Sequence, residues 1–228
     1  MVAAMDAELR ALLSLLQERR SERLGGRDFH RGTIHGRPVV LALSGIGKVA
    51  AATTAVLLMQ AFDAPCLVFT GVAGGLAAGV EVGDVVVARQ LLQHDMDASP
   101  LFPRFEVPLT GRSRFDADAA LADALAAAAA AHRPRARVHQ GLIVSGDRFV
   151  SSRAESDALR ALLPDALAVE MEGAAVAQTC ADFGRPFGVV RTISDRADDT
   201  AHVDFARFVA EIASTTARDI VADWLAQA

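Results

Sequence analysis

The stretch "ALAVEMEGAAVAQTC", Ala166 to Cys180, holds the reading on which the fold turns. It opens as an apolar, strand-like run and closes as a helical run of small residues. A strand that hands over directly to a helix is the building unit of an α/β domain. Two glutamates, Glu170 and Glu172, stand at the junction with Met171 between them. Carboxylates are costly where a chain enters a core, so this pair asks for a chemical reason.

Outward from this junction the same alternation fills the chain. Periodicity predicts strands over Val2–Met5, Val39–Ser44, Cys66–Thr70, Val82–Leu92, Val138–Val144, Leu167–Met171 and Phe187–Ile193. It predicts helices over Ala7–Arg20, Lys48–Phe62, Asp116–Ala131, Arg153–Leu163, Ala174–Phe183 and Asp204–Ala226. Gly184, Arg185 and Pro186 stop one helix and start the next strand. With no internal repeat and no linker, residues 1–228 read as one domain. The least regular stretch, Asp95–Arg114, carries three prolines and two phenylalanines. A loop that apolar calls for a cover, and a second subunit would provide one.

Composition narrows the class. The chain is 52% hydrophobic and carries a net charge of −5 with no basic block, which argues against a nucleic-acid partner. No apolar stretch approaches the roughly 20 residues that a membrane span requires. The opening residues, "MVAAMDAELRALLSLLQERR", lack the pattern of a secretory leader. Cys66 and Cys180 both lie in apolar runs and read as core thiols of a reduced, cytoplasmic protein.

Three acids fall at related addresses. Glu8 follows the first strand, Glu172 follows "LAVEM", and Asp195 ends "FGVVRTISD". In open α/β sheets ligands bind beyond the carboxyl ends of the strands, where such acids can share acid–base work. Arg191 is placed to hold one of them ionised. Each acid is equally a helix cap on its own, and spacing alone leaves both readings open. Two glycine turns complete the rim: "SGIGKVA", Ser44 to Ala50, and "GVAGGL", Gly71 to Leu76. The first is not a P-loop, and no acid ends the strand after it, which argues against a dinucleotide. His94, Asp95 and Asp97 read as a structural turn rather than metal ligands, and Ser145 lacks a nucleophile-elbow context.

"SGIGKVAAA", "GVAGGL", "GLIVSGDRFV", "AVEMEGAAVAQTC" and "VVRTISDRAD" occur here in the order and spacing of a known family. The chain resembles the 5′-methylthioadenosine/S-adenosylhomocysteine nucleosidases, of the purine nucleoside phosphorylase-like superfamily. The resemblance implies a three-layer α/β/α sandwich around a mixed, partly barrel-like sheet, assembled as a homodimer. It implies hydrolysis of the N-glycosidic bond of a 5′-modified adenine nucleoside, with no cofactor and no metal. By resemblance, Glu8 positions the attacking water with help from Arg191, and Asp195 gives a proton to adenine N7. Ser194 orients Asp195. Glu172 accepts hydrogen bonds from the ribose hydroxyls and Met171 lies against the ribose. Phe149 stacks on the base, Val150 offers it backbone hydrogen bonds, and Phe205 closes over the sugar. Ile46, Val72 and Ala73 line the substrate, and Leu101, Phe102 or Pro108 reach the partner's pocket. For Glu170 the resemblance implies no direct role.

The chemistry suits those roles. Cleavage leaves a cationic sugar and an anionic base. Protonation lets the base depart neutral, and carboxylates near the ribose favour the cationic transition state. Partial burial would raise the pKa of Asp195 and keep its proton available. The chain departs from the family in a short first strand, in Val72 where a serine is frequent, and in the sequence of the His94–Gly111 loop. A phosphorylase, a futalosine-type or AMP-type nucleosidase and a non-catalytic nucleoside sensor are the competing readings. A sensor has no use for a water activator and a proton donor together.

Overall fold

A computed structural model describes residues 1–132, 136–199, 201 and 214–227. The strands are β1 (Val2–Ala3), β2 (Gln17–Leu24), β3 (Arg27–Ile34), β4 (Arg37–Leu43), β5 (Leu67–Gly75), β6 (Val85–Gln93), β7 (Arg114–Asp116), β8 (Val138–Ser145), β9 (Ala166–Glu170) and β10 (Phe187–Asp195). The helices are α1 (Asp6–Leu13), α2 (Lys48–Ala61), α3 (Ala119–His132), α4 (Arg153–Leu162), α5 (Gly173–Asp182) and α6 (Ser214–Gln227).

One mixed sheet runs β10–β6–β8–β9–β5–β1–β4–β3–β2, and β5 also pairs with β10. That extra pairing closes β10, β6, β8, β9 and β5 into a barrel-like ring, from which β1, β4, β3 and β2 extend as an arm. Strand alternation builds a core on each face. Phe69, Val86 and Ala88 face one core with Ala55 and Leu58 of α2 and Val176 and Cys180 of α5. Their chain neighbours Val68, Val85 and Val87 face the other, against Leu125 and Ala129 of α3 and Ile220 of α6. Helices on both faces of a partly closed sheet make the three-layer architecture that the sequence implies. The alanine-rich α3 is packed against the sheet through Ala122, Leu125 and Ala129, as alanine's helix propensity and small volume permit.

The first sixty residues differ from expectation. The helix expected over Ala7–Arg20 ends at Leu13, and Gln17–Leu24 is strand instead. Strand β3 was not expected at all. Both belong to an antiparallel meander joined by two-residue turns. Gly25 and Gly26 (φ 56° and 76°) make the first turn, His35 and Gly36 (φ 50° and 74°) the second. Left-handed φ at both positions is the geometry that fits the twist of a hairpin. "GVAGGL" is likewise strand rather than turn, since β5 runs on to Gly75 and pairs there with β9. Strand β6 begins at Val85 rather than Val82, because Asp84 caps a tight turn by accepting from the Glu81 amide at 3.0 Å. The expected start of the last helix, from Asp204 to Ala213, lies outside the described residues, and so does Phe205.

Candidate active site

The acids do not gather at one edge of an open sheet. β5 runs parallel to β10 and antiparallel to β9. The end of β9 therefore returns along β5 toward Gly71, while Arg191 of β10 sits in register with Gly71 and Asp195 with Gly74. Glu8 enters from the first turn of α1. The result is a cavity of about 420 Å³ with a mostly apolar wall. It is lined by Glu8, Ile46, Val72, Ala73, Phe149, Val150, Met171, Glu172, Arg191, Ser194 and Asp195. Leu101, Phe102 and Pro108 are not among its lining residues. They lie on the surface loop, where Leu101 is 83% exposed.

Glu8 and Arg191 are both 1% exposed. Glu8 Oε2 accepts from the Met5 amide at 3.1 Å, so this acid does serve its own helix. Its Oε1 is buried and has no hydrogen-bond partner among the described residues. Burial pushes the Glu8 carboxyl above its ordinary value, and the charge of Arg191 opposes that rise. The Arg191 guanidinium lies 4.1 Å from the centre of the Phe69 ring and donates Nη2 to Glu170 Oε2 at 2.6 Å. Its Nη1 and Nε have no partner among the described residues. Gly71 leaves the space between acid and base open: a Cβ there would stand 3.1 Å from both Glu8 Oε1 and Arg191 Nη1.

At the β9–α5 junction the two glutamates divide the work. Glu170 is buried and accepts the Gly173 amide at 2.8 and 3.0 Å and the Glu172 amide at 3.2 Å. Ser145 Oγ also donates to it and accepts the Ala174 amide at 2.7 Å. Glu172 occupies the N-cap position of α5 but makes no cap bond with its side chain. Its Oε1 instead accepts the Gly47 amide at 2.8 Å. The Gly47 φ of 97° turns that amide toward the cavity at the start of α2, a favoured place for an anion. Burial and the neighbouring Glu170 push the Glu172 carboxyl up to about 7.

Asp195 is fully buried at the opposite wall. Its Oδ2 accepts from Ser194 Oγ at 2.7 Å and its Oδ1 from the Ala197 amide at 2.8 Å. Gly74 allows that placement, since a Cβ there would lie 2.9 Å from Asp195 Oδ1. Ile46 and Phe149 are 62% and 40% exposed and stand at the mouth. The loop that carries Phe149 is tied down by Asp147, which accepts the Lys48 amide at 2.7 Å. Asp97 accepts Ser99 Oγ at 2.6 Å within its own turn, whereas Asp95 receives Lys48 Nζ at 2.6 Å and the Asp147 amide at 2.9 Å and so ties three segments together.

Sequence reasoning named Glu170, Ser145 and the glycines of "GVAGGL" without the parts they play here. The signal for Glu170 was present in the alternation of "EME", which sets both acids at a strand end. Nothing local marks Ser145, whose role depends on β8 and β9 lying side by side.

The chain matches known proteins along nearly its whole length. The profile of the phosphorylase superfamily matches residues 1–226. The 5′-methylthioadenosine/S-adenosylhomocysteine nucleosidase of Actinobacillus succinogenes is 38% identical over 227 residues, covering 99% of this chain and 97% of its own. The crystal structure of the nucleosidase of that name from Neisseria meningitidis, in complex with methylthio-immucillin-A, superposes with a TM-score of 0.94. It is 38% identical, over 100% of this chain and 97% of the other. A futalosine hydrolase mutant of Helicobacter pylori superposes with a TM-score of 0.92 at 34% identity, over 100% of this chain and 97% of the other. The chain belongs to the phosphorylase superfamily, and within it to the group that these nucleosidases represent.

Proposed function

We propose that the protein hydrolyses the N-glycosidic bond of 5′-methylthioadenosine, S-adenosylhomocysteine or a related 5′-modified adenine nucleoside and releases adenine. The observation that carries this reading is the pair of unsatisfied buried groups, Glu8 Oε1 and Arg191 Nη1, that converge across Gly71. Polar atoms in such a place demand a small polar guest, and water fits. Asp195, held by Ser194, protonates N7 as the C1′–N9 bond breaks and its electron pair moves to the base. Glu8 takes a proton from the water as it bonds to C1′. Glu172 anchors the ribose hydroxyls, Met171 and Val72 flank the sugar, and Phe149 and Val150 receive the base.

The same charges favour water over phosphate. Arg191 is already paired with Glu170, and Glu8 and Glu172 stand near it. A phosphate dianion would meet Glu8 and Glu172 beside a guanidinium that Glu170 already neutralises, which repels it on balance. Incubation with methylthioadenosine, with and without phosphate, should give adenine and free methylthioribose in both cases. A product of ribose 1-phosphate type would overturn the hydrolase reading. Futalosine belongs in the same assay, since a futalosine hydrolase is among the similar structures.

The assembly we infer is a homodimer, supported by the exposed apolar side chains of Leu101 and Leu109 on the loop after β6. In it, Leu101, Phe102 or Pro108 would cover the mouth of the partner's cavity. The two unpaired cysteines fit a reducing compartment, the cytoplasm.

A further inference from the structure

We propose that Glu170 is a positioning residue for this reaction, fixing Arg191 with Nη1 left over for the space shared with Glu8 and releasing Glu172 from helix capping to serve the substrate. The inference rests on the nucleosidase reading and goes beyond it. Glu170 lines the cavity wall, yet its carboxylate is spoken for. A carboxylate offers about four acceptor sites. Arg191 Nη2, the Gly173 amide, the Glu172 amide and Ser145 Oγ take them up. It has nothing to offer a ribose hydroxyl and acts through its neighbours.

Two of these neighbours, Arg191 and Glu172, belong to the catalytic set on the reading above. Arg191 is wholly enclosed, and its ion pair with Glu170 is 1% and 3% exposed. That bond holds one arm of the guanidinium fork, and the planarity of the group then directs the others. At the start of α5 the Gly173 amide goes to Glu170, and the Ala174 amide, which a residue in the N-cap position would normally satisfy, goes to Ser145, itself bonded to Glu170. Glu172, which occupies that position, can therefore turn its carboxylate to Gly47. The charged groups facing Glu172 are Glu170, Arg191 on β10 and Glu8 on α1, with the Gly47 amide at the start of α2. Those facing Glu170 are Arg191, Glu172 and, after β6, His94. Burial holds Glu172 high, and the charges of Glu170 and, less strongly, Glu8 add to that rise.

The test is steady-state kinetics of adenine release against pH for the wild type, Glu170→Gln and Glu170→Asp. Glutamine keeps the size and one acceptor but removes the charge. We expect kcat to fall at least about 10-fold with KM little changed, on the scale of a misplaced catalytic group. The acid limb of kcat/KM should move to lower pH, because Glu172 loses its repelling neighbour. Aspartate keeps the charge and shortens the reach by one methylene. It should lower kcat, by up to about 100-fold, with the acid limb where the wild type has it. A uniform loss in Glu170→Gln without displacement of the limb would make Glu170 merely structural and overturn the proposal. Full activity in Glu170→Asp would do the same, and that variant decides the matter should Glu170→Gln not fold. A wild-type protein that releases no adenine would instead overturn the nucleosidase reading itself.

Discussion

Glu8 and Arg191 confront one another over the Cα of Gly71, each with a buried polar atom 3.1 Å from the point where a side chain on that glycine would begin. The gap is as wide as a single methyl group permits. Gly71→Ala would place that methyl where the water belongs and leave β5 otherwise intact. We expect turnover to fall about 100-fold or more, with a small change in melting temperature. Wild-type turnover in this variant would show that the water lies elsewhere.

Asp195→Asn should separate proton donation from geometry. The amide oxygen can keep the Ala197 bond, and Ser194 can rotate to accept from the new NH₂ group. Substrate should still bind, as calorimetry would show, while single-turnover adenine release drops by roughly 10²–10⁴-fold. Near-normal release would mean that the proton comes from another group.

Glu172 makes stability depend on pH in a direction opposite to that of a salt-bridged acid. Its carboxyl is raised from 4.5 to about 7, so the folded state holds a proton that the unfolded chain has already released. Below 4.5 both states are protonated and nothing is lost; as pH rises from 4.5 to 7 the folded state loses ground, and above 7 the loss is complete. The shift corresponds to at most about 3 kcal/mol. Glu172→Gln should therefore melt higher than the wild type above pH 7 while losing ribose binding and activity. Equal melting temperatures at high and low pH would refute the buried-acid account.

The loop carrying Leu101 and Leu109, which are 83% and 89% exposed, should be the contact between two subunits. Light scattering should give the mass of a dimer, and Leu101→Asp with Leu109→Asp should give monomers with impaired turnover, the mouth at Ile46 and Phe149 being uncovered. A fully active monomer would remove the second subunit from the mechanism.

What the sequence disclosed follows from where its information is local. Buried strands such as "FGVVRTISD" and the small-residue helix α5 announce themselves through apolar runs, and the acids that follow them are conspicuous for the same reason. β2 was hidden because all its residues are exposed, so "QERRSERL" has no apolar phase and imitates the end of a charged helix. The paired turns at Gly25–Gly26 and His35–Gly36 were the legible evidence against that helix. Glu170 was visible as a residue but not as a function. Its partners come from β8, β10 and α5, and no spacing within one segment encodes their meeting.

The fully exposed, charge-rich β2 has a consequence for how the protein lives in concentrated solution. As the last strand of the sheet's arm, it presents an open row of backbone donors and acceptors to any other chain that approaches edge-on. Arg19, Arg20, Glu22 and Arg23 stud that row with charge, and Glu18 (φ 54°) breaks its regularity. An incoming copy would have to desolvate these charges for little apolar gain, so the edge discourages stacking. Replacing these residues by valine and threonine would leave the cavity untouched and turn the arm into a template for fibres.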